Sequence, residues 1–361
     1  MIYFSLLLHI YQPPTQDLNL TKKITNDSYR LILKIVAQTQ AKITLNIPAS
    51  LTEQLIINQD EDVVRGIAGL HKKGLIKFTG TAAFHPILPK LPREQIVRQI
   101  QLNDTINKKY FGAEIYCPDG FFPPEMAYST KVDGVLNSLR FKWVVLDEMC
   151  YAREKNMLNH QVIYVKEDRN NIKENNKRSG KNGKNHLKYY FRDDELSLSV
   201  AMSRVNTING FKRILNEKKR IANGPASPAG RQSLTANSYY ILAMDGETFG
   251  HHQMGHDKLL IDILRCDKYQ FVHISELGKY IRMKESISAL PGSWALARND
   301  LRKKTYYPKW SFPGNKIHKL QWRLFNLALH CSPKTIDHRL STISDRALHS
   351  DQFWWASESS D

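Results

Sequence analysis

The sequence predicts an α/β fold of the parallel barrel type, and three observations predict it. Short apolar runs alternate with longer amphipathic segments along most of the chain. Several of those runs end abruptly in polar or ionisable residues, as strands do at the mouth of a barrel. The 361 residues, 42% of them hydrophobic, suffice to bury one large core.

In chain order, residues 2–9, 43–47, 75–79, 141–146, 239–244 and 270–274 read as buried strands. Residues 28–39, 62–73, 93–110, 131–139 and 258–265 carry helical periodicity between them. The opening run lacks a basic leader and a small-residue cleavage site and is too short to span a bilayer, so it is a first strand. After Cys150 the alternation breaks. Strands are expected at 161–165, 187–191 and 196–200, around a segment rich in Asn, Lys and Gly whose composition supplies no core. This predicts a hairpin excursion with a disordered polar tip at about 166–186. Beyond Ser275 the strand pattern stops, and the helix-like run 320–330 follows a stretch containing Pro308 and Pro313. Two regions result: a catalytic barrel over 1–285 and a C-terminal helical cap over 286–361 that contributes to the site.

A formal charge of +17 is what a nucleic-acid binder would carry. The excess crowds into 166–192 and 212–231, which read as solvated loops, and no recognition helix, zinc finger or RNP-like pattern accompanies it. No specific nucleic-acid partner is therefore expected, and no membrane. Cys117, Cys150, Cys266 and Cys331 lie far apart without a CxxC pair, as where thiols stay reduced, so a cytoplasmic location is expected. There is no GxSxG elbow and no phosphate-binding loop, hence no expected cofactor.

The candidate chemistry sits at the strand ends. His9 closes the first strand and is followed by Tyr11, Gln12, Pro13 and Pro14; His85 follows the third; Asp147 and Glu148 follow the run 141–146; Asp245 and Glu247 follow 239–244. Glu125 stands in GFFPPEMAYS, where prolines fix the backbone and aromatics offer a dry wall for a sugar ring. As a helix-start residue it would merely complement the helix dipole. Two carboxylates flanking a glycosidic bond retain configuration when about 5 to 5.5 Å apart and invert it when wider. A competing pattern arises among His251, His252 and His256: His252 and His256, four apart, could face one metal from a helix with Asp245 as third ligand, as in a polysaccharide deacetylase, although Gly250 and Gly255 weaken a helix there. A third reading is a basic, non-catalytic carbohydrate- or nucleic-acid-binding protein on a barrel scaffold.

Five of these stretches, in order, resemble glycoside hydrolase family 57. HIYQPP resembles its first motif, GTAAFHPILP its second, FFPPEMAY its third, MDGETFGHH its fourth and SDQFWWAS its fifth. Tyr11 stands where the first motif has a second histidine. The resemblance implies an incomplete (β/α)7 barrel with a helical region after it, a retaining mechanism without metal, and α-glucan substrates. It implies Glu125 as nucleophile and Asp245 as acid/base. His9, Gln12, His85, Asp147, Glu247 and Asp351 would bind substrate, with Trp310, Trp354 and Trp355 as stacking faces.

Overall fold

The computed structural model describes residues 1–151, 158–167, 186–222, 237–331 and 338–357. Its strands are β1 Ile2–His9, β2 Ile43–Asn46, β3 Ile76–Phe78, β4 Gly120–Phe121, β5 Trp143–Leu146, β6 Val162–Lys166, β7 Lys188–Phe191, β8 Ser238–Asp245, β9 Tyr269–Phe271 and β10 Met283–Ile287. β1 is the hub. It pairs in parallel with β8 along its whole length, with β2 over its C-terminal half and with β9 over its N-terminal half. β3 extends this sheet beyond β2. A second sheet runs β10-β6-β7-β5-β4, parallel except for the β6–β7 hairpin.

Backbone hydrogen bonds link the two sheets at both sides. Gly80, just past β3, bridges Phe121 of β4 in parallel. Asp193, just past β7, donates its N–H to Ile241 of β8 at 2.9 Å. β1, β5 and β8 are near-continuous apolar runs because both faces are covered. Alternate residues of β1 go to opposite sides: Phe4, Leu6 and Leu8 join a cluster with the flanking helices, while Tyr3 and Leu7 meet Val145, Tyr190 and Ile241. An α/β fold with parallel strands and flanking helices is thus what the chain adopts.

Several elements differ from the sequence expectation. Residues 196–200 are helical, within Asp194–Ala201, although LSLSV alternates like a strand. The side chain of Asp193 caps this helix by accepting from Leu196 N at 3.0 Å, and Leu196 and Val200, four apart, both bury. The basic stretch beginning at Lys212 is a loop only in expectation, because helix Ile208–Ala222 covers its first part, anchored by buried Phe211 and Leu215. Strands do not stop at Ser275: β10 pairs with β6 and crosses the boundary expected at 285. The expected disordered tip falls, from 168 to 185, outside the described residues.

Toward the C-terminus the described helices are Arg298–Arg302, Lys316–Cys331, His338–Arg346 and Asp351–Trp355. Trp322 stacks on Phe353 with ring centroids 4.4 Å apart. Arg98 grips the buried Asp345 carboxylate with contacts of 2.6 to 3.0 Å. Ser350 donates its N–H to the carbonyl of His85 at 3.0 Å. These ties hold residues 349–354 over the strand ends. Among the described residues no helix is long and apolar enough to cross a membrane.

Candidate active site

The C-terminal ends of β1, β4 and β8 open on a cleft of about 430 Å³. Of the residues expected there, His9, Gln12, His85, Glu125, Asp245, Glu247, Asp351 and Trp354 all line it. Asp147 and Trp310 do not. Asp147 is fully buried and accepts from Arg192 at 2.8 Å, and it is Arg192 that reaches the cleft. Trp310 is equally buried, behind Trp294 and Trp354 at centroid distances of 6.2 and 5.7 Å. Trp355 is 66% exposed and lies outside the lining.

Glu125 is delivered by a strained turn. Pro123 and Pro124 fix the backbone after β4, and Glu125 and Met126 then take φ of 56° and 48°. Such left-handed values cost non-glycine residues of the order of 1–2 kcal/mol each and persist only where surroundings enforce them. Here they do. Tyr128 and Gly292 pair their backbones, which lays Trp294 alongside the turn. Trp294 donates its indole N–H to Glu125 Oε2 at 2.6 Å, and Ser350 donates its hydroxyl to Oε1 at 2.7 Å. Burial pushes Glu125 up to about 8; the Ser350 and Trp294 hydrogen bonds oppose this, and the charges of Asp351 and Asp245 add to it. Glu125 is therefore not a residue at the start of a regular helix.

Asp245 ends β8 level with His9 of β1. Gly246 turns the chain immediately, so the two acids of this motif separate. Asp245 stays exposed to the cleft, whereas Glu247 is buried and binds the loop after β1. It accepts from Tyr11 N at 3.3 Å, from Gln12 Nε2 at 3.2 Å and from the Tyr29 hydroxyl. Burial and the neighbouring Asp245 push it up to about 8. Ser28 clamps the same turn by donating to the Gly246 carbonyl at 2.9 Å.

Three near-parallel rings cluster in the wall as a triangle. His85 lies 4.0 Å from Tyr11 and 4.9 Å from His9, and those two are 5.7 Å apart. Burial lowers the pKa of both histidines, that of His85 well below the ordinary value, so the cluster is uncharged. Tyr11 donates to Asp351 at 2.6 Å, and His349 sits 3.1 Å from the same carboxylate. Burial pushes Asp351 up, but the hydrogen bonds from His349 and Tyr11 work against it, and its pKa is held low. The other histidines diverge: His251 pairs with Asp27 at 3.2 Å, His252 lines the cleft, and His256 is buried at the start of helix His256–Leu264. Among the described residues no three His, Cys, Asp or Glu side chains group to hold a metal ion.

Sequence reasoning missed Trp294, Ser350 and Arg192. Trp294 was findable as an aromatic two residues past Gly292; Ser350 and Arg192 gain their meaning only from tertiary contacts. Replacing Trp294 by Phe keeps the wall but removes a donor to Glu125. A hydrogen bond to a charged group is worth about 1.5–3 kcal/mol, so kcat should fall roughly 10- to 100-fold with the unfolding midpoint nearly unchanged. Steady-state rates and thermal melts of the variant measure both.

Two carboxylates thus share one indole-walled cleft at the ends of parallel strands, where the sites of such folds are built. The chain belongs to glycosyl hydrolase family 57, whose family model matches residues 4–291. Among solved structures it resembles a family 57 branching enzyme from Pyrococcus horikoshii, at 16% identity and TM-score 0.70, over 98% of this chain and 85% of that one. It also resembles a 4-alpha-glucanotransferase from Thermococcus litoralis, at 17% identity and TM-score 0.61, covering 98% of this chain. This chain spans only 47% of that protein. The alpha-amylase AmyC from Thermotoga maritima is similar at 12% identity and TM-score 0.59, over 98% and 92% of the two chains. Such identities establish likeness of fold. No curated protein sequence matches the chain.

Proposed function

We propose that this protein is a retaining enzyme acting on α-glucans by double displacement, with Glu125 as nucleophile and Asp245 as acid/base. The observation that carries the reading is that these two carboxyls, from different strands, reach one cleft walled by Trp294 and Trp354. The substrate class follows the similar structures, which are glucan-branching, glucanotransferring and amylolytic enzymes. Ionised Glu125 attacks the anomeric carbon while protonated Asp245 gives its proton to the departing glycosidic oxygen. Asp245 then takes a proton from water or from a sugar hydroxyl, which attacks the glycosyl ester and frees Glu125. His9, Gln12, His85 and Asp351 offer polar atoms for sugar hydroxyls; Trp294 and Trp354, stacked 5.3 Å apart, offer ring faces. The same reading takes β8, β1, β2, β3, β4, β5 and β7 as an incomplete (β/α)7 barrel over 1–285, with 286–361 as its helical cap.

Incubation with maltoheptaose tests it. Shorter products alone indicate hydrolysis, a ladder of longer products indicates transfer, and unchanged substrate sinks the glucan assignment. A fluorinated glycosyl fluoride should label the peptide carrying Glu125, as read by mass spectrometry.

A nucleophile must be ionised, and the Glu125 pKa is raised to about 8. Its ionised fraction in the free enzyme therefore rises about tenfold per unit below that value and then levels. kcat/KM should climb with near-unit slope from about pH 6 to about 8. The same raised pKa favours a second reading in which Glu125 is the proton donor and Asp245 the nucleophile. That arrangement makes kcat/KM fall above about pH 8 and moves the covalent label to Asp245.

A further inference from the structure

We propose that Ser350 is a positioning residue for the nucleophile, its hydroxyl aimed at Glu125 by His85. The inference rests on the reading of Glu125 as nucleophile and adds a residue from the segment that closes over the cleft. A serine hydroxyl has a single proton. Ser350 spends it on Glu125 Oε1, 2.7 Å away, so its oxygen has only lone pairs left for its second neighbour. That neighbour is His85 Nδ1, at 3.0 Å. The contact is a hydrogen bond only if Nδ1 carries the proton, which fixes the tautomer of an otherwise ambiguous ring. The same Nδ1 lies 3.5 Å from Glu125 Oε1, which places all three groups together.

The remaining nitrogen supports this assignment. His85 Nε2 is buried with no hydrogen-bond partner among the described residues. In the Nδ1–H tautomer it is a bare acceptor, whereas the other tautomer would bury an orphaned N–H, the rarer and costlier defect. His85 itself is immobilised. Its ring packs against both Tyr11 and His9, its backbone takes φ of 55°, and its carbonyl accepts from Ser350 N at 3.0 Å. The two residues therefore grip each other by main chain and side chain together.

The consequence is electrostatic. The carboxylates that act on Glu125 are Asp351 on the C-terminal segment and Asp245 at the end of β8; His85 after β3 and Tyr11 and His9 at the end of β1 pack beside it, and Arg192, Glu247 and His252 line the same cleft. Both carboxylates disfavour a charge on Glu125, and the histidines are neutral. The donors from Ser350 and Trp294 are what favour its ionised form. Removing the serine hydroxyl should therefore raise the proton affinity of the nucleophile as well as loosen it.

The test uses the intact chain and the acid limb of kcat/KM against pH. Ser350→Ala should move that limb up by about one pH unit, with kcat/KM at pH 6 down roughly tenfold from that cause alone. His85→Asn keeps an amide N–H near the Nδ1 position and tolerates the left-handed backbone, so it should retain the wild-type limb; His85→Gln should not. Thermal melts exclude variants that fail to fold, and Ser350→Thr, which restores a hydroxyl, then serves in their place and should keep the limb. An unmoved limb in folded Ser350→Ala overturns the proposal, as does equal behaviour of the two His85 variants. If Glu125→Gln keeps its turnover, the nucleophile assignment itself has failed, a result separable from these.

Discussion

Glu125→Gln should lower kcat on a maltooligosaccharide by at least about 10⁴-fold while leaving KM within a few-fold of wild type. An amide oxygen cannot form the glycosyl ester, so the covalent route closes rather than slows. The hydrogen-bonding geometry limits how the variant sits. Trp294 Nε1 can only donate, so the Gln oxygen must face it, which turns the amide N–H₂ toward Ser350. The serine hydroxyl then has to accept instead of donate and loses its arrangement with His85. Stability should not suffer, because the wild-type carboxyl is largely enclosed, its side chain 14% exposed, and already resists ionisation. Rates and equilibrium unfolding measured on one preparation separate these effects. Turnover within tenfold of wild type would remove Glu125 from the chemistry.

Much of this site was legible because local patterns dictate it. An apolar run that ends at His9 or Asp245 is a buried strand delivering a polar side chain to the mouth, whatever the rest of the chain does. Two prolines before Glu125 signal an enforced backbone, and the backbone is indeed held in the left-handed region there. The reading went astray where a side chain has two possible uses. Asp147 sits at a strand end like the others, but Arg192 lies within reach and draws its carboxylate inward. Trp310 offered a stacking face, yet Trp294, from a loop with no periodic signal, occupies the wall in front of it. Residues 196–200 alternate as a strand would, and only the cap from Asp193 decides for helix. A two-residue strand such as β4 has no pattern to read; its bridge to Gly80 and its register with β5 define it.

Gly250→Ala should be a strongly damaging small substitution near the site. Gly250 has φ of +96°, which alone costs an alanine about 1–2 kcal/mol. Its added Cβ would also stand 2.1 Å from the carbonyl oxygen of Asp27 and 2.9 Å from Leu31 Cδ2. The leucine can rotate; the carbonyl cannot. Asp27 belongs to the π-helical turn Thr25–Tyr29, which is bolted to the motif after β8 by the Ser28 bond to Gly246 and the Tyr29 bond to Glu247. Relief of the clash therefore requires the two segments to part, breaking buried hydrogen bonds and shifting the turn that carries Asp245. We expect a loss of about 3–5 kcal/mol in unfolding free energy, from backbone strain and overpacking together. A displacement near 1 Å at the acid/base should cut kcat/KM about 100-fold in the molecules that remain folded. Gly255→Ala supplies the control. It carries similar strain, φ +85°, with nothing within 4 Å of its Cβ, so about 1–2 kcal/mol and an intact rate should result. Urea unfolding and initial rates on both variants decide the matter: equal stability losses would mean that contact between the π-helical turn and the Asp245 motif does not hold the acid in place.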